Sequence, residues 1–251
     1  MSISIPKAGN SSVENEDAVF PESGFGQDGN NEFLPFLVAD GATQTSFSNL
    51  WAKCLVNSCS ETHLSEFSFD QSVKKAQIEW LRSLQNIDLP WHAQEKFRQG
   101  AFSALAWLEI KYDRLHPASA YTWRALAVGD CCLFISRSRS IYLSLPLQNP
   151  LEFNNSPVLI PSRSEKMDSI KGKVQTARGA LKNGDYLLLS SDALAAWILN
   201  QTQEGQDDFL KILRDVIFSK NLEKLTRFLV TLRKKNEIKN DDTSLIYIEL
   251  R

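Results

Sequence analysis

The stretch F-L-P-F-L-V-A-D-G, at residues 33–41, is an almost unbroken apolar run that stops at Asp40. An apolar run of this length predicts a β-strand that is buried on both faces. The apolar residues at 47–55 then recur at helical spacing. We therefore predict a strand, a tight turn and a helix, with the Asp40 carboxylate at the turn.

The rest of the chain alternates between the same two patterns. Helical spacing or helix-forming composition occurs at residues 69–84, 91–99, 193–199, 209–217 and 222–232. Strand patterns occur at residues 2–5, 18–20, 100–110, 120–128, 131–136, 184–191 and 243–250. A chain of 251 residues with 43% hydrophobic residues can form one globular domain, so we expect residues 1–251 to be a single domain.

Charge and hydropathy exclude several function classes. The formal net charge of −2 gives no electrostatic basis for binding nucleic acid. No apolar run approaches the roughly 20 residues that a membrane span needs, and the first residues do not resemble a signal peptide. We therefore expect a cytoplasmic protein that binds neither nucleic acid nor membrane. The chain's four cysteines lack the spacing of a disulfide framework or a zinc site, which predicts structural thiols.

Residues 145–183 differ from the rest of the chain because they are rich in proline, asparagine and serine and show weak periodicity. We interpret this segment as an irregular, flap-like excursion. It is locally basic, with Lys171, Lys173, Arg178 and Lys182. These charges are either ordinary solvated loop residues or contacts for a substrate, and the sequence leaves both interpretations open.

Carboxylates stand at the ends of five predicted strands. One aspartate beside a strand is usually a turn or capping residue, but five in comparable places form a pattern. Antiparallel pairing could bring them to the same end of a sheet. Clustered carboxylates repel each other unless cations compensate them, and Mg²⁺ or Mn²⁺ prefer such oxygen ligands. The five residues are Asp17, Asp40, Asp130, Asp192 and Asp241.

Five short motifs around these aspartates resemble the metal-dependent serine/threonine protein phosphatases of type 2C, in a bacterial-like branch. Their order and spacing agree with that family across most of the chain. The motifs are N-E-D-A at 15–18, V-A-D-G-A at 38–42, A-V-G-D at 127–130, G-D-Y-L-L-L-S-S-D-A-L at 184–194 and N-D-D-T-S-L at 240–245.

The resemblance implies an α+β fold, a four-layer α-β-β-α sandwich of two antiparallel sheets flanked by helices. It also implies two divalent ions, Mn²⁺ or Mg²⁺, at one end of that sandwich. Asp40 would bridge the ions, and Asp130 would take an accessory position. One ion would be held by the Gly41 carbonyl and the Glu16/Asp17 side, and the other by Asp192 with Asp241, for which Asp242 is the alternative.

The chain departs from the better-known branch at three places. Residues 11–13 offer no basic side chain for the substrate phosphate, so Lys7 is a candidate for that contact. Ala42 stands where many members have a histidine that assists the leaving group. Ala196 replaces a second ligand of the accessory metal, which leaves a third ion in question.

By resemblance, the expected function is hydrolysis of phosphoserine and phosphothreonine in phosphoproteins. A hydroxide bridging the two ions would attack phosphorus, so no residue acts as a covalent nucleophile. A serine/threonine kinase is the expected functional partner. Two alternatives remain open: a weak or inactive phosphatase-like binding or regulatory module, and a metal-free interaction domain whose aspartates cap turns.

Overall fold

The computed structural model describes residues 1–22, 33–85, 91–112, 121–138, 140–154, 156–205, 208–218 and 222–250. Its helices are α1 (Ser48–Ser60), α2 (Glu66–Leu84), α3 (Trp91–Gln99), α4 (Asp192–Gln203), α5 (Asp208–Phe218) and α6 (Leu222–Lys234). Its strands are β1 (Ser2–Ile5), β2 (Asp17–Phe20), β3 (Phe33–Gly41), β4 (Phe102–Tyr112), β5 (Tyr121–Val128), β6 (Cys132–Arg137), β7 (Ser140–Leu145), β8 (Ile160–Pro161), β9 (Gln175–Leu181), β10 (Tyr186–Ser190) and β11 (Thr243–Glu249).

The strands form two antiparallel sheets. The first sheet has the order β1-β11-β10-β6-β7. The second has the order β2-β3-β4-β5-β9, and the short β8 pairs with β4 beside it. The predicted edge strand at residues 2–5 is confirmed, because β1 lies at the edge of the first sheet against β11.

The burial of β3 shows how the layers are built. Phe36 and Val38 face the core between the two sheets, whereas Leu37 and Ala39 face the core beneath the helices. Apolar residues on both faces of one strand therefore follow from a sheet that is covered on both sides. The prediction of a doubly buried strand at residues 33–39 is confirmed.

Helices cover the outer face of each sheet. Trp51 of α1 and Phe69 of α2 pack on the second sheet, and Trp197 of α4 and Leu213 of α5 pack on the first. Burying each such side chain contributes roughly 1.5–3 kcal/mol, which fixes the helices to the sheets. The predicted four-layer α-β-β-α sandwich is confirmed.

One expectation about the sheets is wrong. β5 and β6 are consecutive in the sequence but belong to different sheets, so Asp130 lies in the link that crosses from one sheet to the other. The five aspartates therefore come from the ends of two sheets and not from one. Both strands are apolar and buried, and such a pattern does not encode which sheet a strand joins.

The interpretation of residues 145–183 as irregular is wrong for part of that segment. β9 pairs with β5 over seven residues and forms an edge of the second sheet. Most of its side chains are exposed, so it lacks the apolar alternation that marks a half-buried strand. The rest of the segment contains short 3-10 turns at Pro150–Glu152 and Ser164–Ile170.

The sequences G-F-G-Q-D-G-N-N at 24–31 and R-L-H-P-A-S at 114–119 are typical of turns between strands, and both lie outside the described residues. In the part of the chain that is described, no helix has the length and apolar character needed to cross a bilayer.

Candidate metal centre

The register of the second sheet places two aspartates against each other. In the antiparallel pair of β2 and β3, Asp17 lies directly opposite Asp40. Directly opposed residues point to the same face with Cβ atoms about 4.5–5.5 Å apart, and like charges in this position are destabilising. The strands thus hold two carboxylates together that would repel each other if both were ionised.

The first sheet and its links contribute the other three aspartates. Asp192 is the first residue of α4 and lies two residues after the end of β10, and Asp241 lies two residues before β11. β10 and β11 are neighbours, with Ser190 paired to Leu245, so these ends meet. Asp130 arrives from the link between the sheets.

Four of these aspartates line one pocket of about 330 Å³: Asp40, Asp130, Asp192 and Asp241. Asp17 is not part of its lining but is buried beside Asp40, with 4% of its surface exposed. The remaining wall is mostly uncharged and consists of Gly41, Ala42, Thr43, Gln44, Thr45, Phe102, Asn154, Ser156, Pro157 and Leu159, with Lys239 as a basic residue.

Burial raises the pKa values of four of these aspartates, Asp17, Asp40, Asp130 and Asp192. Burial raises the pKa of Asp17 to about 8, and Asp242 and Asp192 add to the effect. Burial, reinforced by Asp192, raises the pKa of Asp130 to about 7. Burial followed by the charges of Asp17 and Asp192 raises the pKa of Asp40 well above its ordinary value. The carboxylates can all be ionised near neutral pH only if cations balance them.

Several carboxylate oxygens at this site are buried without a hydrogen-bond partner: both oxygens of Asp17 and Oδ1 of Asp192. Ser191 and Ser244 lie near enough to lower the pKa of Asp17, but neither hydroxyl makes a hydrogen bond to it. Instead, Ser191 Oγ accepts from the Ser244 N–H at 2.9 Å. Buried polar atoms are normally paired, so these oxygens are available to a ligand.

The donor set fits a hard divalent cation, because carboxylate and carbonyl oxygens are the ligands that Mg²⁺ and Mn²⁺ prefer. Among the described residues, no three acidic, histidine or cysteine side chains are already gathered closely enough to hold one ion. The fit therefore rests on the donor chemistry and on the unpartnered oxygens.

Gly41 lies where the chain turns from β3 toward α1, and its N–H donates to the Glu16 carbonyl at 3.2 Å. A Cβ atom at this position would stand 2.7 Å from the Ser48 carbonyl oxygen and 2.9 Å from that of Glu16. Only glycine allows this close approach of three backbone segments. Gly41 also lines the pocket, as the prediction for its carbonyl requires.

Both carboxylate oxygens of Asp242 accept hydrogen bonds from the backbone of another segment, from the Lys7 N–H at 2.7 Å and from the Glu16 N–H at 2.8 Å. Asp241 differs, because its Oδ1 accepts from the adjacent Asp242 N–H, at 2.9 Å, and the residue lines the pocket. Asp242 thus ties the segment before β2 to the segment before β11. The geometry supports Asp241 over Asp242 as the residue that faces the pocket.

Glu16 and Lys7 lie beside the pocket and are paired with each other. Lys7 Nζ donates to Glu16 at 3.3 Å, and the other carboxylate oxygen of Glu16 accepts from Ser48 Oγ. Neither residue is part of the pocket lining. The structure therefore does not bring Lys7 into the pocket where a phosphoryl group would enter.

Two basic residues near the site were missed by the sequence analysis. Arg233, near the end of α6, donates to the carbonyl of Asp241 at 2.7 Å and to the carbonyl of Pro6 at 3.0 Å. Lys239 lines the pocket, with Nζ 3.9 Å from Asp192 Oδ2. Lys239 had a weak signal, its place two residues before Asp241, whereas Arg233 had none.

No family model and no curated protein matches this chain. Solved structures do match it over its whole length. The serine/threonine phosphatase PstP/Ppp of Mycobacterium tuberculosis is 12% identical with a TM-score of 0.62, covering 100% of this chain and 97% of that chain. The serine/threonine phosphatase of Staphylococcus aureus is 13% identical with a TM-score of 0.62, covering 100% and 94%.

A structure of the PstP catalytic domain in complex with two manganese ions is also similar, at 12% identity and a TM-score of 0.58, covering 100% of this chain and 97% of that chain. At such low identities the likeness establishes the fold. The resemblance drawn from the sequence motifs is confirmed at that level, and the chain has the fold of the type 2C serine/threonine phosphatases.

Proposed function

We propose that this chain is a protein serine/threonine phosphatase that depends on two divalent cations, Mn²⁺ or Mg²⁺. The observation that carries the proposal is one pocket lined by four aspartates from two sheets, with Asp17 buried beside Asp40 and with buried carboxylate oxygens that have no hydrogen-bond partner. Asp242 illustrates an aspartate with a purely structural role, because both of its carboxylate oxygens are taken up by backbone N–H groups.

The chain's residues have distinct roles in this proposal. Asp40 is the shared ligand, because it is opposed to Asp17 and faces the pocket shared with Asp192 and Asp241. Bound divalent ions would supply an activated water and neutralise charge on the phosphoryl oxygens. The proposed ligands are Asp40, Gly41 and Asp17 with Glu16 on one side and Asp192 and Asp241 on the other, with Asp130 in the accessory position.

No side chain acts as a covalent nucleophile in the proposed reaction. The four cysteines are free and buried. Burial raises the pKa of Cys54 to about 11 and that of Cys59 to about 12, so neither thiol ionises readily near neutral pH. The substrates are phosphoproteins, and the enzyme's natural counterpart is the serine/threonine kinase that phosphorylates them.

The test is phosphate release from phosphoserine and phosphothreonine peptides, with and without Mn²⁺, together with Mn²⁺ binding measured by calorimetry. We expect metal-dependent release by the wild-type protein, and loss of both release and Mn²⁺ binding in Asp40→Asn. Asp70→Asn is the matched control, because Asp70 is an exposed aspartate of α2. It should retain both properties.

The alternative of a phosphatase-like binding module has its own basis in the structure, since no three metal-binding side chains are already gathered in the described residues. It predicts that phosphopeptides bind without turnover. Absence of metal-dependent release from several peptides, or equal release by Asp40→Asn, would favour this module over the enzyme.

A further inference from the structure

We propose that Lys239 binds the phosphoryl group of the substrate and takes the role for which Lys7 was the sequence-based candidate. This inference rests on the proposed function, because it concerns the same pocket. Neither the sequence motifs nor the family resemblance assigned a role to Lys239.

The first argument is position. Lys239 is the only basic residue among the described residues that line the aspartate pocket. Lys7 lies outside that lining, and its ammonium group is bound to the Glu16 carboxylate. A phosphoryl group that enters the pocket can therefore contact Lys239. Contact with Lys7 would instead require breaking the ion pair between Lys7 and Glu16.

The second argument is availability. The Lys239 side chain is 60% exposed, and its Nζ lies 3.9 Å from Asp192 Oδ2, beyond ordinary hydrogen-bond distance. This contact is loose, and Asp192 is assigned to a cation in the proposed site. Lysine is a flexible point charge with three donors, so it can turn from Asp192 to a phosphoryl oxygen in the same pocket.

The third argument is charge balance. The five aspartates carry five negative charges when ionised, and two divalent cations carry four positive charges, so one negative charge remains. Lys7 is paired with Glu16, and Arg233, which lies close to the charges of Asp242, Asp241 and Asp17, is not part of the pocket lining. Within the described lining of the pocket, Lys239 supplies the positive charge. Without it a phosphomonoester dianion would approach a site of net negative charge and be repelled.

The rest of the pocket wall agrees with this placement. Its other polar side chains are those of Thr43, Gln44, Thr45, Asn154 and Ser156. These are uncharged hydrogen-bonding groups, so none of them can balance the charge of a phosphoryl group. The charge that selects a phosphorylated residue over an unmodified one must then come from the aspartate-bound cations and Lys239.

The experiment compares Lys239→Gln, Lys239→Arg and Lys7→Gln with the wild-type protein in Mn²⁺. The measurements are KM and kcat for a phosphopeptide, inhibition by inorganic phosphate, and equilibrium binding of the phosphopeptide and of Mn²⁺. Lys235→Gln is the matched control, because Lys235 is 64% exposed, is loosely paired with Glu237 at 3.6 Å and does not line the pocket.

We expect Lys239→Gln to raise KM and the phosphate inhibition constant about tenfold, in line with the loss of one charge-assisted hydrogen bond. Mn²⁺ binding should stay at the wild-type level, and the defect should shrink as ionic strength rises. Lys239→Arg should restore most of the affinity because it keeps the positive charge. Lys235→Gln should match the wild-type protein.

Other results would overturn the inference. Values for Lys239→Gln within about twofold of the wild-type protein would remove Lys239 from the phosphate site, and a larger defect in Lys7→Gln would return the role to Lys7. If the wild-type protein binds the phosphopeptide without turnover and Lys239→Gln loses that binding, the inference stands while phosphatase activity fails. If the wild-type protein neither binds nor hydrolyses phosphopeptides, both proposals fail.

Discussion

The two ends of β10 show two ways of burying an aspartate. At one end, Asp185 is completely buried, yet both of its carboxylate oxygens accept hydrogen bonds. Arg137 donates to both of its carboxylate oxygens at 2.7 Å, and the Lys182 N–H adds a bond at 2.8 Å. Burial alone would raise the pKa of Asp185, but these hydrogen bonds outweigh it and the pKa is lowered.

Beyond the other end of this five-residue strand, Asp192 has no such ion pair among the described residues. Its Oδ1 is buried without a partner, and the nearest cation is Lys239 at 3.9 Å. Burial, followed by the charge of Asp241, raises the pKa of Asp192. This fold can satisfy a buried aspartate fully, as it does at Asp185. The unsatisfied aspartates at the opposite end are therefore the acceptors that the proposed cations would pair with.

The largest expected effect is on catalytic activity, which should depend on Asp192 and not on Asp185. Asp192→Asn should lower Mn²⁺-dependent phosphatase activity by about 100-fold or more, since even groups that only orient metal ligands contribute about 10- to 100-fold. Its metal-free free energy of unfolding should remain equal to wild type or rise, because a carboxylate is removed from a repulsive cluster. Steady-state kinetics and denaturant unfolding in a chelator check both statements. A folded Asp192→Asn variant with wild-type kcat would show that Asp192 has no functional role, which would contradict the difference drawn between Asp192 and Asp185.

The second prediction is the converse at Asp185. Asp185→Asn removes the charge that Arg137 contacts twice, and we expect it to lower the free energy of unfolding by about 1–3 kcal/mol. The variant should keep its kcat under conditions in which it is folded, since Asp185 does not line the pocket. Denaturant titration and kinetics on the same preparations measure the two effects. Unchanged stability would show that the ion pair at this end is not structural.

The sequence predicted the buried strand at 33–39 and the site residue Asp192, but it did not predict that Asp185 and Asp192 have different roles. The apolar run at 33–39 was enough to predict a doubly covered sheet, because burial on both faces leaves no polar alternation. Asp192 was found because it interrupts an apolar pattern at a strand end. Asp185 stands just before the same strand and has the same residue type, and only the position of Arg137, 48 residues away, separates their roles.

Other features depend on contacts that the sequence does not encode. The assignment of β5 and β6 to different sheets places Asp130 at the junction, and it is fixed by tertiary packing rather than by local pattern. β9 was missed because an exposed edge strand carries polar residues on its open face. Lys239 looked like one more surface lysine until the pocket was formed around it.

The third prediction concerns the pH dependence of the metal-free protein. The folded pKa values of Asp17, about 8, and Asp130, about 7, lie above those of an unfolded chain. Between the ordinary aspartate pKa of 3.8 and these raised values, Asp17 and Asp130 keep their protons in the folded state but have released them in the unfolded state. Stability should therefore fall as pH rises from about 4 to 8.

Asp185 acts in the opposite direction, because its lowered pKa gives stability that is present above the unfolded value and lost only in acid. Unfolding in a chelator across this pH range, with and without added Mn²⁺, tests the assignment. Mn²⁺ should remove the decline by balancing the ionised aspartates. A metal-free protein whose stability rises steadily toward pH 8 would contradict the raised pKa values at the site.

The smallest expected effect concerns Arg137, which pairs with Asp185 beside the start of β10. Arg137→Lys keeps the positive charge beside Asp185 but loses the planar fork that makes two parallel hydrogen bonds, and also the contact of its guanidinium with the Tyr142 ring at 5.0 Å. The Arg137 side chain is 39% exposed, so solvent compensates part of the loss. We expect a smaller decrease in stability than for Asp185→Asn, measured in the same denaturant titration.

Because Arg137 and Asp185 share one interaction, the double variant should lose less stability than the two single losses added together. Full additivity would mean that Asp185 is held by the Lys182 N–H and its surroundings, and that Arg137 acts elsewhere.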